Sequence, residues 1–168
     1  MNTLIAKQAV LCSLIFGAAL ALFGSFNFLI GLVAFILALL CAPAVILFMK
    51  KTNKIGFLES QQAAALGGLC GFCATISFFL IFTPMTLIFT KFAPLVNKIL
   101  PFISGYHYAY GLQYIVTFDS LWLFFIIVIM IAGVGALTNS TTAMGTVFLL
   151  AQFEQKPKDI EEIDIHIE

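Results

Sequence analysis

Four long apolar runs constrain this chain of 168 residues more than any other feature of its sequence. A helix needs about 20 apolar residues to cross about 30 Å of hydrocarbon. The runs that meet this length are residues 8–26, 28–49, 61–90 and 120–152. Overall, 62% of the residues are apolar and 10% are charged, whereas soluble domains have about 45–50% and about 25%. We therefore predict an all-α integral membrane protein, a bundle of four transmembrane helices.

The runs end at residues that turn the chain or resist burial in lipid. The glycine–serine pair at 24–25 predicts a tight turn after the first run. Lysines follow the second run at Lys50 and the third at Lys91, and ammonium groups are costly to bury in a bilayer. Proline removes a backbone donor, so Pro43 and Pro84 predict kinks in the second and third spans.

The fourth run contains a polar block, Thr-Asn-Ser-Thr-Thr, at residues 138–142. Either the membrane part ends near Leu137 and an interfacial segment follows, or the polar side chains face other helices. We favour one long helix that leaves the membrane, because the run is longer than one crossing needs. Polar groups at this depth can also line a path for a solute, which makes Asn139 a candidate interaction or path residue.

Lysines near span ends predict the orientation, because they accumulate on the cytoplasmic side. With four spans, one side holds Lys7, Lys50, Lys51, Lys54, Lys156 and Lys158. The other side holds Lys91 and Lys98. We therefore expect both termini to be cytoplasmic and an outward loop at 91–119. The six acids and two lysines of residues 154–168 predict an acidic cytoplasmic tail after a membrane domain of residues 1–153.

The outward loop carries all the tyrosines of the chain. They are Tyr106, Tyr108, Tyr110 and Tyr114. Tyrosine prefers the boundary between membrane and water, so an interfacial aromatic belt accounts for them. The alternative is a lid or a docking surface, in which Tyr106, Tyr108 and Tyr110 contact a lipid headgroup, a sugar or another subunit.

Small residues recur at helical spacing in the spans. The candidate packing positions are Gly17, Ala21, Gly67, Gly71, Ala132 and Ala136. Small residues let helix backbones approach closely in lipid, where no hydrophobic force drives helices together. We predict that these positions pack the four helices into one bundle. The alternative is a contact face for another subunit.

The motif Cys70-Gly-Phe-Cys73 resembles the C-x-x-C of disulfide-generating quinone oxidoreductases and vitamin K epoxide reductases, which are four-helix membrane enzymes. The resemblance implies thiol–quinone redox chemistry at Cys70 and Cys73. This chain departs from the family pattern twice. Cys70 lies about nine residues into the third run, hence near mid-membrane, and the outward loop has no cysteine to relay electrons. Redox chemistry is therefore the third hypothesis for its function.

Ionisable residues are absent from all four runs, and both histidines, His107 and His166, lie outside them. Buried acids, bases or metal ligands usually mark proton pathways and intramembrane enzymes. We therefore predict no catalytic residue, no metal site and no cofactor. The sequence also has no basic stripe of the kind that binds nucleic acid.

These absences favour a non-enzymatic accessory or assembly subunit of a membrane complex. Its expected partners are the lipid bilayer and another membrane protein or further copies of itself. The alternative is an oligomeric carrier or channel for small solutes or lipids. Abundant Phe and Lys without Arg indicate an AT-rich genome and hence a bacterial source. We therefore expect a multi-pass protein of the inner membrane.

Overall fold

The computed structural model describes residues 3–25, 28–56, 58–99 and 121–154. Five helices follow one another in these ranges. They are α1 (Thr3–Gly24), α2 (Phe28–Ala38), α3 (Cys41–Lys51), α4 (Ser60–Ile99) and α5 (Leu121–Glu154). The described ranges contain no strand. The prediction of an all-helical chain is therefore confirmed for this part of the protein.

Three of the helices are long and apolar enough to cross a membrane, over Leu4–Gly24, Ser60–Ile88 and Trp122–Gln152. A bend of 59° separates α2 from α3, and the two together count as a fourth crossing if they form one span. The helices also expose large apolar side chains; Leu137, for example, is 71% exposed. Large apolar side chains exposed in such number indicate a membrane protein.

The second predicted span, residues 28–49, is broken rather than continuous. Leu40 donates its N–H to the carbonyl of Leu37 at 3.1 Å, which closes α2 with a tightened turn. Pro43 supplies the reason, because it has no N–H for the carbonyl of Leu39 and its ring excludes that carbonyl from a straight helix. Pro84, by contrast, lies within the continuous helix α4.

The far end of α3 is stopped by a left-handed residue. Asn53 has a φ of 54°, a conformation that asparagine tolerates better than most residues. The N–H of Asn53 donates to the carbonyl of Lys50, and the N–H of Lys54 to that of Met49, both at 2.9 Å. This pair of bonds satisfies the last carbonyls of the helix in a Schellman arrangement. The chain then turns towards α4.

Helices α4 and α5 are longer than the predicted third and fourth spans. The apolar stretch of α4 ends at Ile88, close to the predicted end of the third span at Thr90. The helix itself continues to Ile99, so the first residues of the predicted loop at 91–119 are helical. Helix α5 passes through the polar block without a break and ends at Glu154. The remaining loop residues, with Tyr106, Tyr108 and Tyr110, and the tail at 155–168 lie outside the described residues.

Two groups of buried side chains hold the helices together, and α4 packs along both α1 and α5. The larger group joins α1, α3, α4 and α5 and includes Ala9, Met49 and Leu66. The smaller group lies at the end where α1 turns into α2, and Ala21 and Phe78 belong to it. The break between α2 and α3 lies where the two groups meet, and it faces α5.

Candidate functional site at a helix break

Asn139 of α5 lies against the break between α2 and α3 and is fully buried. Its Nδ2 donates to the carbonyl of Leu39 at 2.7 Å. Its Oδ1 accepts from the backbone N–H of Ala42, also at 2.7 Å. In a continuous helix these two backbone groups would bond to residues one turn away. One amide side chain therefore substitutes for two backbone hydrogen bonds that the break removes.

One further hydrogen bond holds the Asn139 amide in this position. Its Nδ2 also donates to the carbonyl of Gly135, one turn earlier on α5, at 2.9 Å. An amide side chain has two N–H donors, and both are used here. The hydroxyl oxygen of Thr138 lies 3.1 Å from the carbonyl oxygens of Val134 and Gly135 and 3.3 Å from that of Leu39, and it has only one proton to donate. The polar block of the fourth span thus faces other helices at Asn139.

A glycine pair on α4 allows α5 to come this close. A Cβ at Gly67 would overlap the carbonyl oxygen of Asn139 and would lie 2.5 Å from the Cβ of Ala143. A Cβ at Gly71 would overlap the carbonyl oxygen of Gly135 and would lie 2.5 Å from Nδ2 of Asn139. Only glycine fits at these two positions, because even an alanine would push α5 away from α4.

Gly135 makes the matching close approach from α5, and the small-residue pattern did not single it out. A Cβ at Gly135 would overlap the hydroxyl of Thr75 on α4. The predicted packing residues Ala132 and Ala136 are fully buried and half-buried, respectively. Gly135 lies four residues before Asn139, the same spacing as between Gly67 and Gly71. This spacing could have identified Gly135 as a packing residue from the sequence.

Helix α1 packs on another face of α4. A Cβ at Gly17 would lie 3.0 Å from the Cα of Ala74 and would overlap its carbonyl oxygen. Ala21 is fully buried in the smaller core group. The hydroxyl of Ser77 on α4 donates to the carbonyl of Leu14 on α1 at 2.8 Å. The predicted packing residues of α1 therefore belong to the contact between α1 and α4.

All buried hydroxyls of the described residues except that of Thr83 are engaged by backbone carbonyls. Ser140 of α5 donates to the carbonyl of Ala64 on α4 at 2.5 Å. Ser13, Ser25, Thr75 and Thr86 each donate to a carbonyl one turn earlier in the same stretch of chain. A nucleophilic serine or threonine needs a base to accept its proton. These hydroxyls instead point their protons at backbone oxygens.

The four cysteines are unpaired with one another. Cys41 and Cys70 are fully buried in the larger core group. Cys70 and Cys73 lie three residues apart in the continuous helix α4, which separates their Cβ atoms by about 5–6 Å. A disulfide needs about 3.5–4.5 Å, so a Cys70–Cys73 bridge requires α4 to distort. Within the described ranges, no group of three or more His, Cys, Asp or Glu residues is placed to hold a metal ion.

No protein-family model, curated protein or solved structure matches this chain. Its function must therefore be argued from the arrangement of its own residues. The most specific arrangement is a broken helix whose exposed backbone groups are bound by a side chain from α5. Broken helices in membranes often form binding sites for ions or substrates. Here the groups at the break are occupied by the protein itself.

Proposed function

We propose that this chain is a non-enzymatic accessory or assembly subunit of a membrane complex, which acts through its outer surfaces. The observation that carries the proposal is how the buried polar side chains are used. Of the seven buried polar side chains among the described residues, all but Thr83 donate to backbone carbonyls, namely Ser13, Ser25, Thr75, Ser77, Thr86 and Asn139. A catalyst or an ion pathway needs polar groups that remain available to its substrate.

The clamp at the helix break supports the same proposal. Asn139 holds Leu39 and Ala42 through short hydrogen bonds, and this fixes the 59° bend between α2 and α3. A bend fixed from inside gives the bundle a constant outer shape. Such a shape suits a subunit that a partner recognises, because less conformational entropy is lost on binding.

We further propose that the protein lies in a bacterial inner membrane with both termini in the cytoplasm. In this orientation α2 and α3 together make one broken crossing, and the chain spans the membrane four times. The lysine distribution supports the orientation, since Lys50 and Lys51 end α3 and Lys7 lies near the start of α1. The aromatic loop and the acidic tail then offer contact surfaces on opposite sides of the membrane.

Purification in a mild detergent after cross-linking in intact cells tests the proposal. The full chain should carry a small affinity tag and be expressed at a low level. We expect a second membrane protein, or further copies of this chain, to co-purify in a fixed ratio. An unrelated four-span protein with the same tag is the control for non-specific capture. Repeated recovery of a monomer without any partner would contradict the proposal.

A carrier for lipids is the second candidate, because an apolar groove opens on the outside of the bundle between α1 and α3. A path for polar solutes past Asn139 is less well supported, since both of its N–H groups are already donated. Liposomes that contain only the pure protein distinguish the two candidates. Movement of a fluorescent phospholipid between leaflets would favour the carrier, whereas the absence of any lipid or solute flux would favour the accessory role.

A further inference from the structure

The groove between α1 and α3 has a volume of about 440 Å³. Cys12, Phe16 and Ala19 line it from α1, and Ala44, Val45 and Phe48 line it from α3. Every one of these side chains is apolar or a thiol. Phe48 is 52% exposed, so the groove opens on the outer surface rather than into the bundle. In a membrane its occupant must be either lipid hydrocarbon or the apolar face of another protein segment.

The length of the groove favours lipid chains over a partner helix. The α1 wall from Cys12 to Ala19 is about 10 Å long, at 1.5 Å per residue. A partner helix that crosses the bilayer runs along about 30 Å of hydrocarbon, so most of its length would lie outside the groove. Flexible hydrocarbon chains can fill a short groove, and the gain in dispersion contacts favours them there.

Lysines surround one end of the groove. The first part of α1 (Ile5 and Ala9) packs in the same core group as Met49 of α3, so the start of α1 and the end of α3 lie together. Four lysines belong to this end, namely Lys7, Lys50, Lys51 and Lys54. Glu59 and Glu154 are the acids among the described residues. Among the described residues, this end of the bundle therefore carries an excess of positive charge.

We propose that the groove binds one anionic phospholipid, with its acyl chains between α1 and α3 and its phosphate near the exposed residues Lys7, Lys51 and Lys54. The apolar walls select hydrocarbon, and the lysines select a negatively charged headgroup. Basic sites at the cytoplasmic ends of transmembrane helices attract anionic lipids in this way. The site is distinct from the clamp at Asn139 and does not depend on the proposed accessory role.

Native mass spectrometry of the full chain tests the proposal. The protein, purified in a mild non-ionic detergent, is mixed with equal amounts of dioleoyl phosphatidylglycerol and dioleoyl phosphatidylcholine, which differ in headgroup charge but not in acyl chains. We expect one phosphatidylglycerol to be retained in preference to phosphatidylcholine. The variant Lys7→Gln/Lys51→Gln/Lys54→Gln should bind phosphatidylglycerol at least about fivefold more weakly, because one lysine near the surface contributes about that much.

A second pair of variants tests the apolar part of the site. Ala44→Phe places a ring in the groove and should reduce retention of both lipids. Ala65→Phe introduces the same ring at another exposed alanine, on α4, and should leave retention unchanged. If Ala44→Phe does not fold, the lysine variant still decides the question, since those side chains are exposed and lie outside the packed core.

Two results would overturn the proposal. Equal retention of the two lipids, unchanged in the lysine variant, would show ordinary boundary lipid. Dimers that retain no phosphatidylglycerol and that Ala44→Phe dissociates would show that a second copy of the chain occupies the groove.

Discussion

Asn139 carries an unusual share of this fold, because it joins three helices through one amide group. Hydrogen bonds between membrane helices contribute about 0.6 kcal/mol on average and about 1.7 kcal/mol at most. Asn139 differs from the average case, since its loss leaves the carbonyl of Leu39 and the N–H of Ala42 without their hydrogen-bond partner at a buried break. A buried polar group without a partner costs about 1–3 kcal/mol.

We therefore expect Asn139→Ala to lower the free energy of unfolding by about 2–3 kcal/mol. The control is Thr141→Ala on the same helix, where an exposed hydroxyl bonds only to carbonyls of α5. That change should cost less than about 0.5 kcal/mol. Titration of micelles with sodium dodecyl sulfate, followed by circular dichroism, measures both values. Equal losses in the two variants would rule out the clamp.

Asn53 provides a second prediction at this scale, because its φ of 54° lies in the left-handed region. The left-handed conformation costs a residue with a Cβ roughly 1–2 kcal/mol, whereas glycine has no such steric cost. Asn53→Ala should therefore destabilise the protein by about 1 kcal/mol, and Asn53→Gly should be neutral or slightly stabilising. Thermal unfolding in detergent compares the two. If alanine and glycine behave alike at this position, the turn after α3 is not held in this conformation.

The helices α2 and α3 show how a proline and a distant polar residue act together. Pro43 leaves the carbonyl of Leu39 without its usual donor, and the side chain of Asn139 donates to it instead. Pro84 lies in a helix that continues without interruption. The difference between the two prolines therefore lies in their surroundings rather than in proline itself.

A double-mutant cycle tests this coupling. Pro43→Ala restores a backbone N–H that can bond to the carbonyl of Leu39 if α2 and α3 straighten. The loss caused by Asn139→Ala should then be at least about 1 kcal/mol smaller in the Pro43→Ala background than in the native chain, because contacting residues are not additive. The same detergent titration gives all four free energies. Strict additivity would mean that the two residues act independently.

The pairing of α4 with α5 rests on glycine at closely approaching positions. Gly71→Ala would force a methyl group against Gly135 and Asn139, and overpacking of this kind costs about 1–3 kcal/mol. Gly133→Ala on α5 is the matched control, because a Cβ there meets nothing within 4 Å. We expect the control to be neutral or stabilising, since alanine favours helix. Equal stability of the two variants in detergent titration would contradict this packing.

The topology of the entire chain depends on whether α2 and α3 make one crossing. If they do, the chain crosses four times and both termini lie on the same side. If the bent pair instead enters and leaves on one face, three crossings place the termini on opposite sides. The described residues contain three candidate spans and this one bent pair.

Reporter fusions to the full chain decide the number of crossings. We expect green fluorescent protein to fluoresce at either terminus, and alkaline phosphatase to be inactive there, because both ends face the cytoplasm. Alkaline phosphatase inserted within the loop at 100–120 should be active. A fluorescent N-terminal fusion combined with an active phosphatase at the C-terminus would show three crossings and refute the four-span arrangement.

The sequence alone determines that this chain is helical and apolar enough for a membrane, since length and hydropathy act within each segment. It also predicts where two helices end: α1 ends at the glycine–serine turn and α3 ends at the lysines that follow the second run. Contacts between distant segments of the chain do not follow from such local properties and arise from the packing of the helices. This packing brings Asn139 to Leu39 and Ala42, about a hundred residues earlier in the chain.

Helix rotation and the effect of a proline depend on neighbours in the same way. Several small residues on α5 could face α4, and the fit to Gly67 and Gly71 selects Gly135 and Asn139. Pro43 by itself predicts only a kink, and it becomes a full break where Asn139 is present to bind the separated backbone groups. Unsatisfied backbone is too costly in lipid for a helix to break without such a partner.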